Sequence, residues 1–176
     1  MINREKILRS LKPSPTTLIL IGLIVYLWFR PPAFVSEETA AVPDFIVKPI
    51  EGAPFAFASL KGKVVLVNFW ASWCPYCRHE MPPMRDFHND YRARGFEIVT
   101  FSADATPAEA QRYLRENGYR FITAMSAGEP SAMFGGVKRL PTSFIVDKRG
   151  RIRHKVVGQV HYARLEKLVV PLLAEK

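Results

Sequence analysis

An almost wholly apolar run, Val64-Val65-Leu66-Val67-Asn68-Phe69-Trp70, leads within a few residues to Cys74-Pro75-Tyr76-Cys77 and then to a stretch of helical periodicity. Continuous rather than alternating apolar character suits a central parallel strand covered on both faces. The run therefore points to a layered α/β architecture and sets the cysteines at the handover from strand to helix. Two thiols three residues apart at such a point form a redox pair more readily than anything else. These are the only 2 cysteines of the chain, too few for a disulfide scaffold and half the ligand set of a four-cysteine zinc site.

A thiolate is the nucleophile in disulfide exchange, and a free thiol with a pKa of about 8.5 is mostly protonated at neutral pH. A helix N-terminus favours negative charge through its unpaired N–H groups and its dipole. Cys74 is thus the expected attacking residue and Cys77, a turn further in, the more buried resolving one. Cys74 would attack a substrate disulfide, and Cys77 would attack the Cys74 sulfur to release the reduced substrate; oxidation is the same path reversed. Pro75 has no N–H to offer the thiolate and Tyr76 is bulky, so the dipeptide should tune the potential, with Tyr76 covering the disulfide and contacting substrate. The alternatives for the pair are an inert disulfide, or a Cu(I) or Zn site that adds His79.

The formal net charge is +9, of which Arg4, Lys6, Arg9, Lys12 and Arg30 against Glu5 account for +4, leaving +5 for the rest. No nucleic-acid signature or basic–aromatic stripe accompanies this charge, so no nucleic-acid partner is expected. Residues 1–12 read as a basic cytoplasmic tail and 13–30 as a membrane anchor, with a cleaved signal segment as the alternative. The 17 residues from Pro13 to Phe29 carry no charge and as a helix would rise about 26 Å, the short end of what spans a core of about 30 Å. Basic residues before the segment place the N-terminus in the cytoplasm and the remainder outside, where disulfide chemistry is permitted. The expected location is therefore the inner (cytoplasmic) membrane, single-pass, with the domain on the extracytoplasmic side. Residues 31–42 read as a tether and 43–176 as one domain.

Within that domain, Phe45-Ile46-Val47 and Phe55-Ala56-Phe57 suggest a hairpin. Cys77, Met81, Met84, His88 and Tyr91, with Phe87 alongside, share a helical spacing; Pro82 and Pro83 predict a kink, and Gly95 ends the segment. Strands are predicted at 98–101, 121–123, 142–146 and 153–157, and a helix from Pro107 to Asn117 with Thr106 as N-cap and Gly118 as terminator. Residues 129–134 read as a weak helical turn, and 147–151 as a hairpin loop. Leu165, Leu168, Val169 and Leu172 mark a closing helix, with Pro171 near its end. Met81 and Met84 are expected in the core and His79 on the surface. His88, His154 and His161 receive no role, and neither do Asp104 and Glu129, whose loops could approach the site.

The segment from Val65 to Pro82, including Trp70-Ala71-Ser72-Trp73-Cys74-Pro75-Tyr76-Cys77, resembles the active-site segment of the membrane-tethered, TlpA-like thioredoxin-fold proteins, a group that includes the thioredoxins of cytochrome c maturation. Leu140-Pro141-Thr142, followed by Phe144-Ile145-Val146-Asp147 and Gly150, is a second match. The resemblance implies a thioredoxin fold, a mixed central sheet flanked by helices, with an extra N-terminal β-hairpin and one preceding transmembrane helix. It implies that Pro141 is a cis-proline beside Cys74, that Leu140 and Thr142 meet substrate, that Trp73 and Pro75-Tyr76 flank the dithiol, and that the Glu80 carboxylate sits near the buried thiol as a proton acceptor. It implies no cofactor beyond the Cys74–Cys77 disulfide, exported protein thiols or disulfides such as those of apocytochrome c as clients, and a membrane electron donor. A reductant is favoured over an oxidant on this resemblance. Asn68 stands where ordinary thioredoxins carry a buried Asp, and Pro75-Tyr76 is the glutaredoxin-like dipeptide.

Overall fold

The structure, a computed structural model, describes residues 14–29, 34–37 and 40–175. The chain forms two compact units, Met1–Pro32 and Ala33–Lys176. In the first, α1 spans Pro15–Phe29, 15 residues, a rise of about 22 Å. Its side chains are exposed from Leu18 to Tyr26. Among the described residues no helix is long and apolar enough to cross a membrane. The expected span of 13–30 extends beyond α1 at both ends, where Pro13 and Arg30 lie outside the described residues, as does the basic tail.

The second unit is built on a six-stranded sheet. Its strands are β1 (Phe34–Glu37), β4 (Val64–Trp70), β5 (Phe96–Ser102), β6 (Ile122–Met125), β7 (Thr142–Val146) and β8 (Ile152–Val157), in the spatial order β1-β8-β7-β4-β5-β6. β4, β5 and β6 are parallel, while β7, β8 and β1 run antiparallel to their neighbours. β2 (Ile46–Val47) and β3 (Phe55–Ala56) form the expected hairpin as a separate two-stranded sheet. The helices are α2 (Pro75–Tyr91), α3 (Pro107–Glu116), α4 (Glu129–Met133) and α5 (Tyr162–Ala174).

The pleat of β4 divides the core. Val64, Leu66 and Trp70 face a cluster with Cys77, Met81, Met84 and Phe87 of α2 and Leu165 and Val169 of α5. Val65, Val67 and Phe69 face Phe45, Phe57, Phe101, Phe134 and Phe144. Successive strand side chains point to opposite faces, so Asn68 falls on the α2 side. α2 runs through Pro82 and Pro83 to Tyr91. The prolines deprive the carbonyls of Arg78 and His79 of their helical partners, and both are exposed residues, within reach of water. Gly95, at φ 88°, then turns the chain into β5. The capping box at Thr106 and Glu109 opens α3 as its sequence requires.

The tether expectation is corrected over 34–37 and 40–42. Phe34-Val35-Ser36-Glu37 pairs residue for residue with Val157 to His154 of β8. Further pairing follows, with Ile152 N–H donating to Ala40 O at 2.8 Å and Val42 N–H to Gly150 O at 2.9 Å. Without β1, β8 would present an unpaired edge, and an edge of free N–H and C=O groups recruits a strand. The domain therefore begins near Ala33, not at 43.

Candidate active site

The parallel strands β4 and β5 deliver their C-terminal ends to one place. Trp70 O accepts from Ala103 N–H at 2.8 Å, tying the two exits together. The loop after β4 is held by Asp104, which is buried and accepts from Ser72 N–H at 3.1 Å, Ser72 Oγ at 2.7 Å and Ser102 Oγ at 2.7 Å. Asp104, to which the sequence assigns no role, thus fixes the turn that carries Trp73.

Cys74 is the N-cap of α2, and its sulfur accepts from Cys77 N–H at 3.4 Å. An N–H aimed at this sulfur favours a thiolate here. Cys74 and Cys77 are joined as a disulfide, Cα to Cα 5.3 Å. Cys74 is 5% exposed and Cys77 0%, so only Cys74 can be reached by an incoming sulfur. Around it stand Trp73 and Tyr76, 66% and 55% exposed, and the exposed Pro75.

The Leu140–Pro141 peptide is cis. Thr142 pairs with Phe69 across β4 and β7, which sets Leu140 and Pro141 at the end of the sheet where the cysteine loop leaves it. Pro141 O accepts from Gly158 N–H at 2.9 Å. Thr142 is buried, and its hydroxyl donates to Arg139 O at 2.8 Å. That bond shapes the turn before β7.

Glu80, one turn beyond Cys77, is fully buried. Its Oε1 accepts from Asn68 Nδ2 at 2.8 Å and its Oε2 from Val160 N–H at 2.9 Å. Burial pushes its pKa up to about 8, against the two hydrogen bonds, which lower it. Asn68 Nδ2 also reaches Ser143 Oγ on β7 at 2.9 Å.

The connection from β8 to α5 closes the site from the other side: Gln159 Nε2 donates to Tyr76 O at 2.8 Å, next to the Val160 contact with Glu80. Sequence reasoning missed Gln159, Val160 and Ser143. Ser143 and Asn68 carry a visible signal, a polar residue inside an apolar strand; a backbone donor such as Val160 N–H carries none. The histidines do not join the pair: His79 is exposed, and His88 bonds Glu97 at 3.1 Å. Among the described residues no three His, Cys, Asp or Glu side chains form a set that could hold a metal.

Residues 37–168 match the Redoxin family. The chain belongs to the Redoxin family. The thiol-disulfide oxidoreductase ResA of Bacillus thuringiensis (strain Al Hakam) is 33% identical over 150 residues, covering 83% of this chain and 84% of that one. The ResA of Geobacillus thermodenitrificans is 30% identical over 148 residues, covering 81% and 85%. A solved thiol:disulfide interchange protein of Chlorobium tepidum TLS superposes with a TM-score of 0.72 at 31% identity, covering 79% of this chain and 99% of its own. StoA of Bacillus subtilis, at 24% identity and a TM-score of 0.63, shares the fold. The domain is a thioredoxin-fold thiol–disulfide oxidoreductase of the ResA type, with Cys74–Cys77 as its redox pair.

Proposed function

We propose that this oxidoreductase works outside the cytoplasm, held at the membrane by its N-terminal segment, and reduces disulfides of exported proteins such as apocytochrome c with electrons from a membrane donor. The observation that carries the reading is Glu80, a buried carboxyl with a pKa of about 8 one turn from Cys77. Reduction needs Cys77 to act as a nucleophile in apolar surroundings, and that needs a proton acceptor beside it. In the resolving step the Cys77 proton passes to Glu80 and the thiolate attacks Cys74 Sγ. The intrachain disulfide forms as the mixed disulfide breaks, and the substrate sulfur leaves with the electron pair and takes a proton from water. The reductive direction rests on the resemblance to the tethered group. The membrane assignment rests on the uncharged stretch around α1, whose helix is apolar all round, a pattern suited to lipid or to a core.

Full-length protein with Cys77→Ser, expressed in cells, tests this directly. Without its resolving thiol, Cys74 should remain joined to clients as mixed disulfides in the membrane fraction. The adducts should vanish when Cys74 is also replaced by Ser. A variant that traps no exported protein, or stays out of the membrane fraction, overturns the corresponding part of the proposal.

A further inference from the structure

Among the described residues, Asn68 Oδ1, on the α2 side of β4, is one of the buried polar atoms with no hydrogen-bond partner. Such an orphan is costly in a protein interior, and in a native site it calls for a reason. The other end of the same amide is fully used, by Glu80 Oε1 at 2.8 Å and Ser143 Oγ at 2.9 Å. We propose that Asn68 is a positioning residue for Glu80 whose amide turns over with the proton: Nδ2 donates to the ionised carboxylate, and Oδ1 accepts from the protonated carboxyl. The inference rests on the reading that Glu80 takes the Cys77 proton.

The hydrogen-bond inventory forces the choice. Both Glu80 oxygens accept, one from Asn68 Nδ2 and one from Val160 N–H, the complement of an ionised carboxylate, which only accepts. A protonated carboxyl must place one O–H. It cannot place it on Oε2, because the Val160 amide opposite is a donor fixed in the backbone. On Oε1 it would confront Nδ2, donor against donor. Turning the amide by about 180° puts Oδ1 there instead, ready to accept from the Glu80 O–H. Ser143 suits either state, because a hydroxyl both donates and accepts and its hydrogen rotates freely. Each orientation leaves one amide atom unpartnered, Oδ1 in one and Nδ2 in the other, so neither is locked. An amide with every site filled in one orientation could not follow the proton.

The groups around Glu80 come from four elements: Cys77 on α2 itself, Asn68 on β4, Ser143 beside Asn68 on β7, and Val160, followed by His161, between β8 and α5. Its titration is governed by burial and by the hydrogen bonds of Val160 and Asn68. Asn68 is the only side chain among those causes, and so the one able to change with the charge. An Asp at this position would add a second ionisable group; Asn answers the proton by rotation and carries none.

The test uses the oxidised protein, where no thiol titrates, and nitrogen-15 NMR of the Asn68 side-chain amide across the Glu80 midpoint, itself followed by carbon-13 NMR of the carboxyl. The Asn68 amide resonances should shift with the same midpoint as Glu80. Asn68→Leu, which keeps the size but loses the amide's bond to both forms of Glu80, should raise that midpoint by less than about one pH unit, because the charge-assisted bond to the ionised form is the stronger of the two. Asn68 resonances that stay fixed while Glu80 titrates overturn the inference even if Asn68→Leu fails to fold. The underlying reading is tested apart, by the rate at which Cys77 resolves a mixed disulfide. Glu80→Gln resolving as fast as the wild type at every pH overturns the proton-acceptor role.

Discussion

Replacing Glu80 by Gln in the oxidised protein should flatten the pH dependence of stability between about pH 5 and 8. Glu80 moves from an ordinary value of 4.5 to about 8 on folding, chiefly through burial. The folded state therefore binds a proton that the unfolded state has released, so stability is highest below pH 4.5 and falls as pH rises toward 8. Each pH unit in that window is worth about 1.4 kcal/mol, and the whole span about 5 kcal/mol. Gln stays neutral and removes this loss. It also fits the site, with its oxygen on Val160 N–H and its NH₂ on the turned Asn68 amide. The measurement is urea unfolding of both proteins from pH 5 to 9, without reductant, read as the difference between the two curves. The difference cancels groups that titrate nearby, such as His154, whose pKa burial lowers and whose contribution therefore grows as pH rises. The wild type should lose stability relative to Glu80→Gln by about 1.4 kcal/mol per pH unit. Parallel curves would mean that Glu80 is ionised throughout and that burial does not control it.

Deleting β1 offers a second test: the fragment 43–176 should be less stable to urea than Ala33–Lys176 by about 1–4 kcal/mol, at about 0.2–1 kcal/mol for each cross-strand pair lost, and equal midpoints would return 34–42 to a tether. Asp147→Asn should cost about 1–3 kcal/mol, because an NH₂ would replace the buried Asp147 Oδ2, which accepts from Arg151 Nε at 3.3 Å and Arg153 Nη1 at 3.4 Å, while Oδ1 could still accept from the amides of Arg149 and Arg151 at 2.9 and 3.0 Å. Burial opposes the Asp147 charge, but those amides and the Arg151 guanidinium outweigh it and hold its pKa below the ordinary 3.8. Its stabilisation is thus present above about pH 4 and lost in stronger acid, and acid unfolding of Asp147→Asn should show a shallower limb there.

What could be read from the sequence follows from where physics acts locally. The Val64–Trp70 strand, the N-terminus of α2 at Cys74 and the capped α3 at Thr106 each declare themselves through neighbouring residues. β1 does not. Phe34 to Glu37 is a short strand between prolines and acidic residues, and only the open edge of β8 makes it one. The same holds for the lid over the site. Gln159 and Val160 matter through a side-chain amide reaching Tyr76 O and a backbone N–H reaching Glu80, contacts that span about 80 residues and leave no pattern. Glu80 beside the buried thiol follows from the resemblance, and its raised pKa depends on being sealed beneath β4, α5 and that connection. The cis geometry at Pro141 follows from the resemblance, because composition and spacing do not distinguish it from a trans proline.

The equilibrium reduction potential of the Cys74–Cys77 couple, measured against glutathione in the Ala33–Lys176 fragment, tests the central claim most directly. A value near the thioredoxin end, about −270 mV, is expected of a reductant supplied with electrons across the membrane. A value near the strongly oxidising end, about −120 mV, would mean that the protein introduces disulfides and would contradict the proposed direction.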